Sequence, residues 1–410
     1  MSVSQGALKE SKAKLLVPKA KGSREAMLIT ALMAGYSMIY MDKNMISTAI
    51  IPIADQFHLT TSQTGLMMSL FFLGYSLMQI PGGWLADKIG YKKVLILSLS
   101  LITLFSFTFG FAGSLLVFIL IRFMAGVGHA GYPPSCSKGI AENFPVERRT
   151  FIQSLILSTN GIGGILAFVI GARLIDLNWH YGYYALGVFF AISLLLVIFF
   201  VPNSAPTPKI KEQPKQISFK EVITNRNVLI LFIAMFIANV GFYGNMSWLP
   251  SFLKTKFDLS ISTVGTILAF NAVGGALASL FAGVLLTKYF AGKEKALLLG
   301  SCILSSLLFI GIVFFDSLAP SVVCLYLLTF LLTAIFVTIF SWPHKILPEK
   351  VIGSSIGIVN TGGTLGGFVA PMTFGVFISM AGGSFNIVFI TLAIAIVVCG
   401  LITLTVKIEK

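Results

Sequence analysis

Charge is what this sequence has least of. Only 11% of its 410 residues are Asp, Glu, Lys or Arg, against 56% hydrophobic residues that include 36 Phe. A soluble domain of ordinary composition carries about 25% charged residues, so this chain lacks the means to solvate a globular surface. Cysteine is sparse as well. Cys136, Cys302, Cys324 and Cys399 stand isolated in or beside apolar segments, with neither metal spacing nor a disulfide framework, and read as packing residues. A phosphate loop, a metal-ligand cluster and a nucleophile–base pair are also missing, which argues against an enzyme, a cofactor, a resident metal and an ATP-driven pump. The net charge of +14 does not point to nucleic acid, because the basic residues are scattered through short loops. Residues 1–25 are basic and polar with no apolar core, so they read as a cytoplasmic tail and not as a signal peptide.

What is present is a series of long apolar runs. A bilayer core of about 30 Å takes about 20 apolar residues per helix, and lipid requires that backbone groups be bonded internally. The two-residue alternation of barrel strands is absent, so the runs predict an all-α integral membrane protein. Spans are expected near 27–53, 61–83, 94–112, 115–137, 150–173, 181–201, 227–251, 261–287, 296–315, 319–342, 353–379 and 384–406. The polar, Pro- and Lys-rich stretch 202–226 divides them. The expected organisation is a tail at 1–25, a six-helix bundle at 26–201, a cytoplasmic linker at 202–226, a second six-helix bundle at 227–406 and a short end at 407–410. Twenty-four of the 29 Lys and Arg residues fall on one side of this arrangement, and three (Arg173, Lys254, Lys256) on the other. That asymmetry predicts both termini in the cytoplasm and an even number of spans in a plasma membrane. A faint repeat links GGWLADKIGYKK at 82–93 with AGVLLTKYFAGKEK at 282–295, the second copy lacking the Asp. Two repeated halves with a site between them near mid-membrane is a carrier architecture.

The segment Gly83-Trp-Leu-Ala-Asp87-Lys88-Ile-Gly90-Tyr-Lys92-Lys93 reads as a helix end, a glycine turn and a basic run. Asp87 is placed to accept bonds from helix amino-terminal N–H groups or a basic side chain. Gly83 and Gly90 are expected to allow close approach and a tight reversal. This run resembles the G-x-L-A-D-x-x-G-x-K/R-K/R signature of the major facilitator superfamily, which implies a gating motif at Gly83, Asp87, Gly90, Lys92 and Lys93. Further stretches resemble the anion:cation symporter family within it: YMDKNMISTAI (40–50), YSLMQIPGGWLADKIG (75–90), IRFMAGVGHAGYPP (121–134) with ENFP (142–145), Trp248-Leu-Pro250, and Gly357-Ile-Val-Asn360 through Gly366-Gly367 to Pro371. The resemblance implies transport of organic anions such as sugar acids. One departure is His129, which stands where that family often has a Glu.

Four residues interrupt the spans: Asp42 and Lys43 mid-way along the first, Arg122 and His129 on the fourth. A charge at bilayer depth costs about 2.5–3.5 kcal/mol on insertion scales, so such residues face a cavity or a partner. An ion pair that merely ties spans 1 and 4 together is one reading. It leaves one of the two bases uncompensated, and an anionic substrate would compensate it. Lys43 and Arg122 are therefore expected to bind a carboxylate or phosphate. Arg122 and His129 are seven residues apart and share a helix face. Asp42, the acid among the four, is the expected proton-accepting group, with imidazole His129 second. Tyr75, Asn160, Asn245 and Asn360 are candidate donors to substrate oxygens, each equally able to serve as a plain interhelical hydrogen bond.

These readings converge on a secondary carrier that imports a small organic anion by cation-coupled symport with alternating access. A proton is the expected coupling ion and sodium the alternative, and the expected carrier is a monomer. A drug or metabolite exporter is the competing reading, weakened because STNGIGGILAFVIGA (158–172) lacks the Gly-Pro such exporters carry. A transporter-like ligand sensor is the third, with little loop or tail surface for signalling.

Overall fold

The computed structural model describes residues 22–204, 222, 224–343 and 352–407. Most of the expected tail and central linker, and the last residues of the carboxyl end, lie outside them. The helices are α1 (Gly22–Phe57), α2 (Thr61–Ile89), α3 (Tyr91–Phe109), α4 (Leu115–Asn143), α5 (Val146–Leu177) and α6 (Trp179–Phe200). In the second half they are α7 (Arg226–Phe257), α8 (Ile261–Val284), α9 (Glu294–Phe314), α10 (Leu318–Ser341), α11 (Ile352–Met380) and α12 (Asn386–Leu404). No strand occurs among the described residues. Eleven of the described helices are long and apolar enough to cross a membrane. The helix outside that set is α1, where Asp42, Lys43 and Asn44 lower the mean hydropathy. Its surroundings compensate: Ala31, Leu32, Ile39, Met41, Met45, Ala49 and Ile53 are fully buried among the other helices.

Five of the described helices start where a side chain closes free backbone N–H groups. The Thr60 hydroxyl accepts from Gln63 N while Gln63 Oε1 accepts from Thr60 N, a reciprocal cap on α2. At α4, α6, α7 and α8 the cap runs one way, the side chains of Ser114, Asn178, Asn225 and Ser260 accepting from first-turn backbone N–H groups. Such caps satisfy donors that a bilayer interface supplies with little water. Outward faces carry Leu104, Phe199, Leu327 and Ile394, each more than half exposed, as a lipid-facing surface requires.

Helix contacts run within and across the halves: α2 packs on α4 and on α11, α7 on α11 and α12, α5 on α1 and α8. The halves are stitched at one end. Thr61 Oγ1 donates to the Gly375 carbonyl at 2.9 Å and lies 2.9 Å from Ser379 Oγ. Met372 N–H donates to Ser69 Oγ at 2.9 Å. Between α5 and α8, Ser262 Oγ donates to Asp176 Oδ2 at 2.6 Å. Gly90 (φ +93°) and Gly292 (φ +74°), the glycines of the two faintly repeated segments, both take a positive φ after their spans.

Candidate functional site

Between the halves lies a cavity of about 300 Å³. Lys43 and Asn44 from α1 and Asn160 from α5 face it from one half. Asn239, Tyr243 and Asn245 from α7, Asn271 from α8, and Thr329 and Thr333 from α10 face it from the other. Lys43 is the sole charged side chain among the described residues of this wall. Its Nζ sits 4.5 Å above the Tyr75 ring centroid and 5.7 Å from that of Tyr40. These aromatic faces stabilise an ammonium without neutralising it.

Asp42 is one residue away but turned from the cavity, 3% exposed. Its carboxylate is shared. Oδ1 lies 3.2 Å from Arg122 Nη1, and Oδ2 lies 3.0 Å from His129 Nε2. The imidazole contact is close but out of line for a hydrogen bond, and Arg122 Nε and both His129 nitrogens make none. Phe71 holds the cluster: the Arg122 guanidinium lies 4.5 Å over its ring, and the His129 ring meets it edge-on at 4.9 Å. Phe71 in turn stacks on Tyr75 at 6.4 Å. A continuous ladder thus runs from the cavity ammonium through two aromatic rings of α2 to the buried guanidinium.

The structure brings the sequence candidates together unevenly. Lys43, Asn160 and Asn245 line the cavity, and Tyr75 supports Lys43. Arg122, expected to join Lys43 around an anion, is buried behind the wall and paired with Asp42. Asn360 is half-buried and lies outside the cavity wall. Tyr40, Asn239, Tyr243 and Asn271 escaped the sequence reading. The signal for Asn271 was present, since a primary amide within an apolar run asks for a partner.

At the end opposite the stitching, Asp87 accepts from Lys138 Nζ at 2.7 Å, with Glu142 3.9 Å from the same ammonium. This ion pair joins α2 to the end of α4 through a basic side chain. Lys92 Nζ donates to the Ile198 carbonyl at 2.9 Å, and Lys93 is exposed. The tight reversal falls at Gly90, where a Cβ would meet Ser204. The close approach expected at Gly83 is not there: a Cβ would meet only Pro134 Cβ, at 3.6 Å. It belongs to its neighbour Gly82, whose Cβ would come within 2.9 Å of Gly131 Cα.

The family model described as Major Facilitator Superfamily matches residues 32–371, a stretch that includes the cavity, the buried cluster and the Asp87–Lys138 ion pair. The chain belongs to the Major Facilitator Superfamily. It is therefore a multi-pass membrane transporter and not an enzyme. It is 29% identical to a probable sulfoacetate transporter of Cupriavidus necator, over 87% of this chain and 88% of that protein. It is 25% identical to the cis,cis-muconate transport protein of Acinetobacter baylyi, over 88% and 89%. In fold it is similar to a bacterial homolog of the human lysosomal transporter Spinster, with a TM-score of 0.78 at 16% identity, covering 94% of this chain and 96% of that one.

Proposed function

We propose that this transporter imports a small organic anion, a sugar acid or related carboxylate, by proton-coupled symport across the plasma membrane, with both termini cytoplasmic. The observation that carries this reading is the cavity wall, in which Lys43 is the single charge among the described residues and neutral amides and hydroxyls supply the rest. An uncompensated ammonium in low dielectric attracts an anion strongly. The named substrates of the two relatives, sulfoacetate and muconate, are carboxylates.

In this reading Lys43 binds the carboxylate, with Tyr75, Asn160 and Asn245 orienting the substrate's other oxygens. Asp42 accepts the coupling proton. Its carboxylate holds Arg122 and His129 at once, so protonation weakens both contacts and frees α1 and α4 to shift relative to each other. Arg122 acts through Asp42 and not by touching substrate. His129, 3.0 Å from Asp42 Oδ2, is the second proton-accepting group. Asn360, outside the wall, contributes once α11 has moved. The motif around Asp87 gates the cytoplasmic end.

The test is uptake into proteoliposomes of anions first found by a thermal-shift screen, under separately imposed proton and sodium gradients. Accumulation driven by the proton gradient supports the proposal. Accumulation driven only by sodium removes the proton, and failure to move any organic anion removes the substrate class.

A further inference from the structure

The cavity is polar in two different ways at its two walls. On the α1 wall stands a cation. On the wall formed by α7 and α8, Asn245 Oδ1 and Asn271 Oδ1 are buried acceptors without a hydrogen-bond partner. Of the neighbouring amides, Asn44 Nδ2 donates to the Tyr40 carbonyl and Asn239 Nδ2 to the Met235 carbonyl, each bonded to its own helix, and neither has a buried oxygen without a partner. Two buried acceptors without donors are costly to retain unless something in the cavity donates to them. Among the described lining residues there is no Arg or His, and the one Lys, Lys43, stands on the α1 wall.

Taking the organic-anion reading as its basis, we propose that Asn271 and Asn245 are specificity-determining residues that select a hydroxylated monocarboxylate over a dicarboxylate. One carboxylate cancels Lys43. A second would lie against amide oxygens with no cation to offset its loss of water. Hydroxyl groups at that end donate to both oxygens. A site built to bond substrate hydroxyls rejects analogues that lack them far more strongly than a greasy pocket rejects a missing methylene. Selection therefore acts twice, against a second charge through the absence of a second base and against a bare chain through the two unsatisfied acceptors, and so departs from the unhydroxylated dianions for which the two relatives are named.

The experiment measures binding of D-gluconate, D-glucarate, hexanoate and adipate to the purified full-length chain, by calorimetry and by competition in counterflow. These four six-carbon acids vary charge and hydroxylation independently. Gluconate is expected to bind at least about tenfold more tightly than glucarate or hexanoate. Asn271→Leu and Asn245→Leu should each narrow the gluconate-to-hexanoate ratio by about tenfold. Asn271→Ser, which keeps an acceptor oxygen, should recover part of it. Glucarate or adipate binding as tightly as gluconate would overturn the proposal and leave organic-anion transport standing. Equal weakening of gluconate and hexanoate by the Leu variants would overturn it too, as the effect of a merely structural residue. The wild-type ranking decides the question even if a variant fails to fold. Binding of none of the four would overturn this proposal, while the organic-anion reading stands or falls with the wider anion screen.

Discussion

Asp42 and Lys43 are neighbours in sequence, yet a helical step of about 100° sends them to different surroundings. Lys43 reaches the cavity and rests on Tyr75, while Asp42 turns inward to Arg122 and His129. The two side chains should therefore fail differently when changed. Lys43→Gln removes the one charge on the described wall, and a charge-assisted hydrogen bond contributes about 1.5–3 kcal/mol. We expect substrate affinity to fall about 10- to 100-fold with the thermal midpoint of the empty protein little changed, as calorimetry and thermal melts would show. Asp42→Asn keeps the shape but removes the proposed proton-accepting group. Concentrative uptake should be abolished while counterflow exchange continues; accumulation that still follows a pH gradient would rule Asp42 out. Arg122→Ala leaves a buried carboxylate without its guanidinium, a loss of about 3–5 kcal/mol. Its signature should be a lowered melting temperature more than a changed substrate preference.

Helix α2 links these two surroundings. Phe71 lies beneath Arg122, Tyr75 beneath Lys43, and the rings stack on one another. That arrangement depends on α4 coming very close, and Gly126 permits it, since a Cβ there would collide with the Phe71 carbonyl and press on Tyr75 N. Gly126→Ala forces α2 and α4 apart, and overpacking of this kind costs about 1–3 kcal/mol. The melting temperature should drop and uptake should fall with it. Gly83→Ala offers a contrast, because a Cβ there meets only ordinary contact and alanine favours helix over glycine. Its melting temperature should hold or rise, although Gly83 belongs to the signature motif and Gly126 does not.

For the whole molecule, the stitched end joins α2 to α11 and α5 to α8. The pairs Thr61–Gly375, Thr61–Ser379, Ser69–Met372 and Ser262–Asp176 hold it closed. Ser262 lies in the first turn of α8, so the Asp176 carboxylate also meets the positive end of that helix. Transport by alternating access requires these contacts to part and re-form. Thr61→Cys combined with Ser379→Cys should give a cross-link under mild oxidation that stops transport, with dithiothreitol restoring it. Transport that continues with the cross-link complete would show that this end need not open.

Much of the fold was legible without coordinates, because a bilayer leaves a chain few options. Apolar runs of the right length, separated by capped turns and unevenly distributed basic residues, determined a helical, multi-pass protein. They also singled out Asp42, Lys43, Arg122 and His129, since charge in an apolar run is rare enough to stand out alone. Composition and spacing could not divide those four between a cavity and a buried cluster. Lys43 and Arg122 look equivalent as uncompensated bases, and only the rotation of α1 and the depth of α4 behind α2 separate the cavity ammonium from the paired guanidinium. Asn271 and Asn360 present the same difficulty among neutral residues, being alike as amides in apolar runs. Packing of α8 puts the first on the cavity wall, and packing of α11 keeps the second off it. The sequence by itself determined which residues are too polar for lipid, because that cost is local to each residue. Tertiary structure alone decided what each of them faces instead, because a partner some 80 positions away along the chain is chosen by how helices pack and not by the helix that carries the residue.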